Sequence, residues 1–153
     1  MDDEFFMKLA LSEARKAFAC GEVPVGAIVV HQGKVVAKGH NQVEKKNDAS
    51  CHAELLALKR AAKVLGGWRL QECTLYCTLE PCCMCAGSMY LFRIKNLIWG
   101  APDIRHGANG SLADLFTISH PIHQIAVRGG VLQEECSQIM KEFFQNRRKI
   151  KNG

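Results

Sequence analysis

No run of apolar residues in the 153-residue chain is long enough to cross a bilayer, which needs about 20 in succession, so a soluble protein is expected. The chain also lacks the opening of an exported protein. Its first stretch, MDDEFFMKLALSEARKAF, carries three acids where an export leader carries basic residues, and Lys8 and Glu13 interrupt its apolar positions. Without an oxidising compartment there is no disulfide framework, so the eight cysteines are expected as reduced thiols in a cytoplasmic protein. No internal repeat and no low-complexity linker is visible. A chain of this length has room for one core, burying roughly two thirds of its unfolded surface, and a single domain over 1–153 is expected.

What is present is ordinary globular material, 48% hydrophobic and 23% charged, which excludes a disordered or fibrous chain. Twenty basic residues against fifteen acidic ones leave a net charge of +5. That charge is unevenly spread. Three of the first four residues are acids, whereas KEFFQNRRKIK (141–151) holds five bases and one acid. Such an electropositive end attracts phosphate backbones.

Strand and helix signals alternate along the chain. Phe6, Leu9, Ala10, Ala14, Ala17 and Phe18 recur at helical spacing, and Gly21 stands where that helix would end. PVGAIVVHQGKVVAKG reads as two β-branched runs around His31, Gln32 and Gly33, a hairpin. A second helix is expected to be capped by Asp48 or Ser50 and to run through Leu55, Leu56, Ala62 and Leu65 to Gly66 and Gly67. TLYCTL (74–79) is a buried-strand pattern, and Pro81 suits the first turn of a third helix over 82–92. NLIWG and HQIAV supply two more strands. A last, basic helix over about 131–151 aligns Leu132, Cys136, Ile139, Phe143 and Ile150 on one stripe. This order predicts a three-layer α/β/α domain, with helices on both faces of a central mixed, mostly parallel five-stranded sheet.

Two short stretches carry the chemistry. SCHAE (50–54) places His52 two residues before Glu54, and EPCCMC (80–85) places three cysteines behind Pro81. Both fall at predicted helix N-termini, where unpaired N–H groups favour a thiolate. Cys82 and Cys85 are i and i+3 and are expected on one helical face, with Cys83 turned about 100° away. With His52 they offer one zinc ion three ligands. Structural zinc is closed by four protein ligands, whereas three plus a water is the catalytic arrangement. Glu54 beside an open position can take a proton from that water and hand it on. The other six cysteines, Cys20, Cys51, Cys73, Cys77, Cys83 and Cys136, are expected as small core or near-core residues. A non-catalytic zinc module, with Cys51 or Cys83 as fourth ligand, is the reading from another class.

H-x-E followed by P-C-x-x-C is the known signature of zinc deaminases. Together with EVPVGAIVV, GHN, LEPCCMCAGSM and GAPDIRHGANGS, these residues make the chain resemble the bacterial tRNA-specific adenosine deaminase (TadA) family, in the zinc-dependent cytidine/deoxycytidylate deaminase superfamily, over roughly residues 5–148. The resemblance implies a cytidine deaminase-like fold, with His52, Cys82 and Cys85 holding one zinc per chain and Glu54 as proton shuttle. It also implies that Asn41 contacts the nucleoside, and that a homodimer without a nucleotide cofactor hydrolyses adenosine to inosine at the wobble position of an arginine tRNA anticodon. The anticodon stem-loop is the expected partner, its target base splayed out of the stack. Pro81, Arg105 of the 100–111 segment, Phe144, Arg147 and Arg148 are expected to meet the RNA. Cations at a helix C-terminus are favoured by its dipole whether or not RNA is present. Cytidine, cytosine and guanine deaminases carry the same two zinc motifs, so a free base or nucleoside is the alternative substrate.

Overall fold

A computed structural model describes residues 2–152, the side chains of Lys151 and Asn152 excepted, so the basic tail's Lys151 ends outside the described side chains. The elements are α1 (Asp3–Ala19), β1 (Gly26–His31), β2 (Lys34–His40), α2 (Val43–Lys46), α3 (Ala53–Leu65), β3 (Cys73–Leu79), α4 (Cys83–Leu91), β4 (Asn96–Ala101), β5 (Ala126–Arg128) and α5 (Gln133–Asn152).

Local chemistry sets most boundaries. Asp2 caps α1 by accepting the Phe5 N–H at 3.1 Å. At the other end Gly21 takes φ 77°, so that its N–H reaches the Phe18 carbonyl and the Glu22 N–H reaches that of Ala17, at 3.1 and 3.0 Å. Gln32 and Gly33, both at positive φ, close the two-residue hairpin between β1 and β2 as read from the sequence.

The strands lie in the order β2-β1-β3-β4-β5. β1 is antiparallel to β2 and to β3, while β3, β4 and β5 are mutually parallel, so four strands point one way and only β1 opposes them. Side chains alternate between faces, and each face builds its own core. Ile28, Val30, Tyr76 and Ile98 pack under α1 and α5 with Phe6, Met7, Leu11 and Cys136. Val29, Leu75, Cys77 and Leu97 pack on the other face, under α3 and α4, with Ala57, Leu58, Ala61 and Met89. Each fully buried Leu, Ile or Val contributes about 1.5–3 kcal/mol, so the two cores hold the three layers together. Helix α3 lies close to the sheet. A Cβ on Gly39 of β2 would stand 2.5 Å from the Ala53 carbonyl oxygen, so the bare glycine lets the first turn of α3 settle there.

Several boundaries differ from the sequence reading. α3 starts at Ala53 with His52 as N-cap, and neither Asp48 nor Ser50 caps it. Asp48 instead closes a turn, accepting the Ser50 N–H and hydroxyl at 2.8 and 2.7 Å. Pro81 precedes the α4 N-cap Cys82 and so lies outside the helix's first turn. The HQIAV strand begins only at Ala126, and the four-residue α2 is too short to leave a periodic signal. Ile150 is 79% exposed, because α5 runs on past the sheet after Phe143 and its apolar stripe has nothing left to cover.

Candidate functional site

β2 and β3 run in the same direction on either side of β1, so their C-terminal ends share one edge of the sheet. The loops leaving that edge lead into α3 and α4, whose N-termini therefore meet. His52 and Cys82 are the two N-caps, both extended, with ψ 150° and 174°, and neither spends its side chain capping its own helix. The side chains converge instead. His52 Nδ1 lies 3.5 Å from Cys82 Sγ and 3.5 Å from Cys85 Sγ, and one ligand atom from each of the three falls within 4.8 Å of the others.

This convergence differs in one respect from the expected shared helical face. Cys82 stands just outside α4, and its extended backbone turns the thiol toward Cys85 in the first turn. Cys83, the first helical residue, is exposed, and Cys51 is half-buried beside Asp48; neither belongs to the cluster. The closed four-ligand alternative thus finds no fourth cysteine among the described residues. The expectation of six core cysteines holds for Cys73, Cys77 and Cys136, but Cys20 and Cys83 are exposed and Cys51 is half-buried. Position at a helix end outweighs the usual preference of the thiol for burial.

The cluster's electrostatics suit a cation. The hydrogen bond from the Cys85 thiol, supported by His52, holds Cys82 at about 4 against the opposing effect of burial. Cys85 is pushed up in turn by that thiolate and by burial. The hydrogen bond with Cys82 raises His52, again against burial. Two sulfurs and one imidazole are the donor set zinc prefers, so the residues fit that ion. Glu54, in the first turn of α3 and 4% exposed, is pushed up to about 7 mainly by burial. A carboxyl poised near neutrality can accept a proton and give it back.

A cavity of about 430 Å³ opens over this trio, with His52, Glu54 and Cys82 in its lining. A larger groove of about 650 Å³ between α1 and α5 contains none of the three. Asn41 lines the cavity, but its amide is engaged, donating to the Val23 carbonyl and accepting the Val43 N–H, each at 3.2 Å. Arg147 reaches the cavity from α5, its guanidinium over the Phe143 ring at 5.2 Å.

The other expected contacts stand away from the lining. Pro81 is buried and its carbonyl accepts the Ala108 N–H at 2.8 Å. Arg105 is exposed, and the cavity is lined by its neighbours Asp103 and His106 instead. Phe144 is 40% exposed and packs edge-on against Phe143, and Arg148 turns back to the Phe144 carbonyl.

Among the lining residues that were not anticipated, two are buried carboxylates: Glu22 and Glu80, each 2% exposed, each hold a different rim segment. Glu22 accepts the N–H groups of Glu44 and Lys45, both at 2.9 Å, and Glu80 does the same for the segment after β4. Their only sequence signal is an acid set among apolar residues, in CGEVPVG and CTLEPCC.

A family model described as MafB19-like deaminase matches residues 1–148. The tRNA-specific adenosine deaminase of Bacillus subtilis (strain 168) is 45% identical over 151 residues, covering 99% of this chain and 94% of that protein. The chloroplastic tRNA(adenine(34)) deaminase of Arabidopsis thaliana is 46% identical over 161 residues, covering 95% of this chain, which spans 12% of that much longer protein. Among solved structures, a chain from work on A-to-I editing by tRNA:A34 deaminases at the wobble position superposes with a TM-score of 0.84 at 40% identity, covering 88% of this chain and 98% of that one. A guanine deaminase from Bacillus subtilis superposes with a TM-score of 0.65 at 33% identity, covering 97% and 95%.

Proposed function

The chain belongs to the tRNA-specific adenosine deaminases, and from that premise we propose that it hydrolyses adenosine to inosine at the wobble position of a tRNA anticodon, with an arginine tRNA as substrate. The observation that carries the reading is the meeting of two helix N-caps, His52 and Cys82, with Cys85 in reach and a buried Glu54 in the wall of the same cavity. Residues 1–153 act as one catalytic domain.

His52, Cys82 and Cys85 would hold one zinc ion per chain, which would supply a Lewis acid and a water of lowered pKa. Glu54 accepts the proton of the attacking water as its oxygen closes on C6 of adenine. The same carboxyl delivers that proton to N1, then carries the second proton of the added water from the C6 hydroxyl to the amine as the C6–N bond breaks, leaving inosine and ammonia. Burial suits Glu54 to this exchange, since it raises the carboxyl toward the range in which a proton is both taken up and returned. The partial positive charge at the N-terminus of α4 favours the negative charge that develops on the attacking oxygen.

The base must leave its stack to enter the cavity, which a loop permits far more readily than a duplex. Asn41 keeps a wall in place through its two backbone hydrogen bonds and faces the nucleoside. Arg147 is the tail cation best placed for a phosphate; the exposed Arg105, Arg148 and Phe144 stand outside the lining and would meet only nucleotides beyond the target base, and the buried Pro81 supports the turn instead of touching RNA. A homodimer accords with the exposed apolar residues Val64 and Leu65 of α3 and Met84 and Leu91 of α4. Cytoplasmic action goes with the substrate. Among the described residues no helix is long and apolar enough to cross a membrane.

The test is incubation of purified protein with a transcribed arginine tRNA bearing adenosine at the wobble position, followed by nucleoside analysis. Inosine is the expected product. Free adenosine, cytidine and guanine run alongside; turnover of a free base or nucleoside with none of the tRNA would overturn the assignment, and the likeness to a guanine deaminase makes guanine the pertinent control.

A further inference from the structure

Glu80 occupies the junction between the metal-ligand turn and the rim of the cavity. It stands two residues before Cys82, and its own N–H is fixed to the Ala101 carbonyl at 2.7 Å. Its carboxylate lies inside the loop formed by residues 102–111. There it accepts the N–H groups of Asp103 at 3.0 Å, Asn109 at 2.8 Å and Ser111 at 3.3 Å, and the Ser111 hydroxyl at 2.5 Å. Gly107 crosses so close to the carboxylate that a Cβ there would stand 2.2 Å from the Glu80 carboxyl carbon. Two further links join the loop to the turn: the Ala108 N–H to the Pro81 carbonyl, and a β-bridge between Cys82 and Gly107.

A buried carboxylate is tolerated only when donors compensate it, and here the donors are the loop's own backbone. The converse also holds. The loop packs few large apolar side chains inward, with Ile104 83% and Leu112 64% exposed, so its shape rests chiefly on the carboxylate at its centre and on the Trp99 indole N–H, which donates to the Asn109 side-chain carbonyl at 2.8 Å. Of its two side chains in the cavity lining, Asp103 belongs to an anchoring residue and His106 lies between that anchor and Asn109.

We propose that Glu80 is a positioning residue for RNA: through the backbone amides of 102–111 it holds the rim at a set height above the metal-ligand turn, and the rim grips the nucleotides flanking the target base. This rests on the reading of the cavity as a tRNA deaminase site. A grip on flanking nucleotides is the same before and during the chemical step. Loosening it therefore raises KM and leaves kcat in place.

The experiment compares wild type, Glu80→Gln and Ser111→Ala in three readouts: steady-state deamination of an anticodon stem-loop, deamination of the same stem-loop with abasic residues flanking the target, and hydrogen exchange across 102–111. Gln presents an NH2 group to donors that need an acceptor, whereas Ser111→Ala removes one hydrogen bond and leaves the charge with its amides. For Glu80→Gln the exchange should quicken and KM for the intact stem-loop should rise about tenfold or more, the share of one charge-assisted hydrogen bond, with kcat held within about threefold. On the abasic stem-loop that KM ratio should collapse toward unity.

Zinc should remain at one per chain, and Ser111→Ala should shift KM and exchange in the same direction to a smaller extent. A fall in kcat at unchanged KM, unchanged exchange across 102–111, or an undiminished ratio on the abasic substrate would each overturn the proposal. Should Glu80→Gln fail to fold, Ser111→Ala decides alone, with unchanged exchange and KM counting against the clamp. Failure of the wild type to deaminate the stem-loop would overturn the substrate reading instead, while hydrogen exchange would still decide whether Glu80 orders the rim.

Discussion

The roles proposed for His52, Glu54, Cys82 and Cys85 rest on geometry that single substitutions can probe. His52→Ala, Cys82→Ala and Cys85→Ala each remove one of three converging donors and should lose zinc, whereas Cys83→Ala should keep it, because Cys83 is exposed and outside the cluster. Metal analysis of the four purified variants checks this. Loss of zinc from Cys83→Ala would place the ligand register one residue out. Glu54→Ala removes neither a ligand nor a helix cap, so it should keep its zinc and its circular dichroism spectrum. Its turnover should nonetheless fall at least about a hundredfold, the lower end of what a positioned acid–base group supplies. That these four side chains would meet was legible in the sequence because their spacing and types are what such a centre requires. Glu22 and Glu80 were not, since a carboxylate that binds backbone amides imposes no residue type on its partners.

Helix α5 shows how an element can be read correctly and its contacts only in part. Its basic end and apolar stripe follow from periodicity, yet the sequence treats Arg147 and Arg148 alike. In the fold Arg147 lines the cavity while Arg148 turns to the Phe144 carbonyl. Binding titrations of tRNA across a salt series should therefore separate them. Arg147→Ala should lower the slope of log K against log salt by about 0.7–0.9, as for one lost phosphate contact, and Arg148→Ala should lower it less.

Element packing also fixes the height of α3. In Gly39→Ala the new methyl would meet the Ala53 carbonyl and the Ala57 amide, at 2.5 and 2.9 Å, and backbone cannot rotate aside as a flexible side chain would. A loss of about 1–3 kcal/mol in urea unfolding is expected, as for overpacking a tight contact. The start of α3 escaped the sequence reading for a related reason. Asp48 and Ser50 have better intrinsic capping chemistry than His52, but close packing of Ala53 on β2 and the reach of His52 toward α4 place the boundary.

At the scale of the whole molecule, the proposed zinc would tie α3 to α4, helices that otherwise make few contacts with each other and reach the same sheet face separately. Chelation should accordingly abolish deamination and lower the thermal midpoint by about 5–10 °C, the shift expected from losing a ligand held well above its dissociation constant. Zinc added back should restore both, and calorimetry with and without chelator checks it. An unchanged midpoint would mean that the two helices are already held by their packing on the sheet.

The sequence by itself determined the layer order, the hairpin, the end of α1 and the chemistry of H-x-E with P-C-x-x-C. Each of these rests on residue type at fixed spacing: apolar periods of two or about 3.6, glycine at positive φ, and soft donors at a helix start. Only the tertiary structure decided which of two adjacent arginines faces the cavity, which thiols are left in solvent, and which two buried carboxylates hold the rims. Those outcomes depend on where backbone amides from distant segments come to lie, and hydrogen bonds to backbone leave no mark in the identity of the residues that donate them.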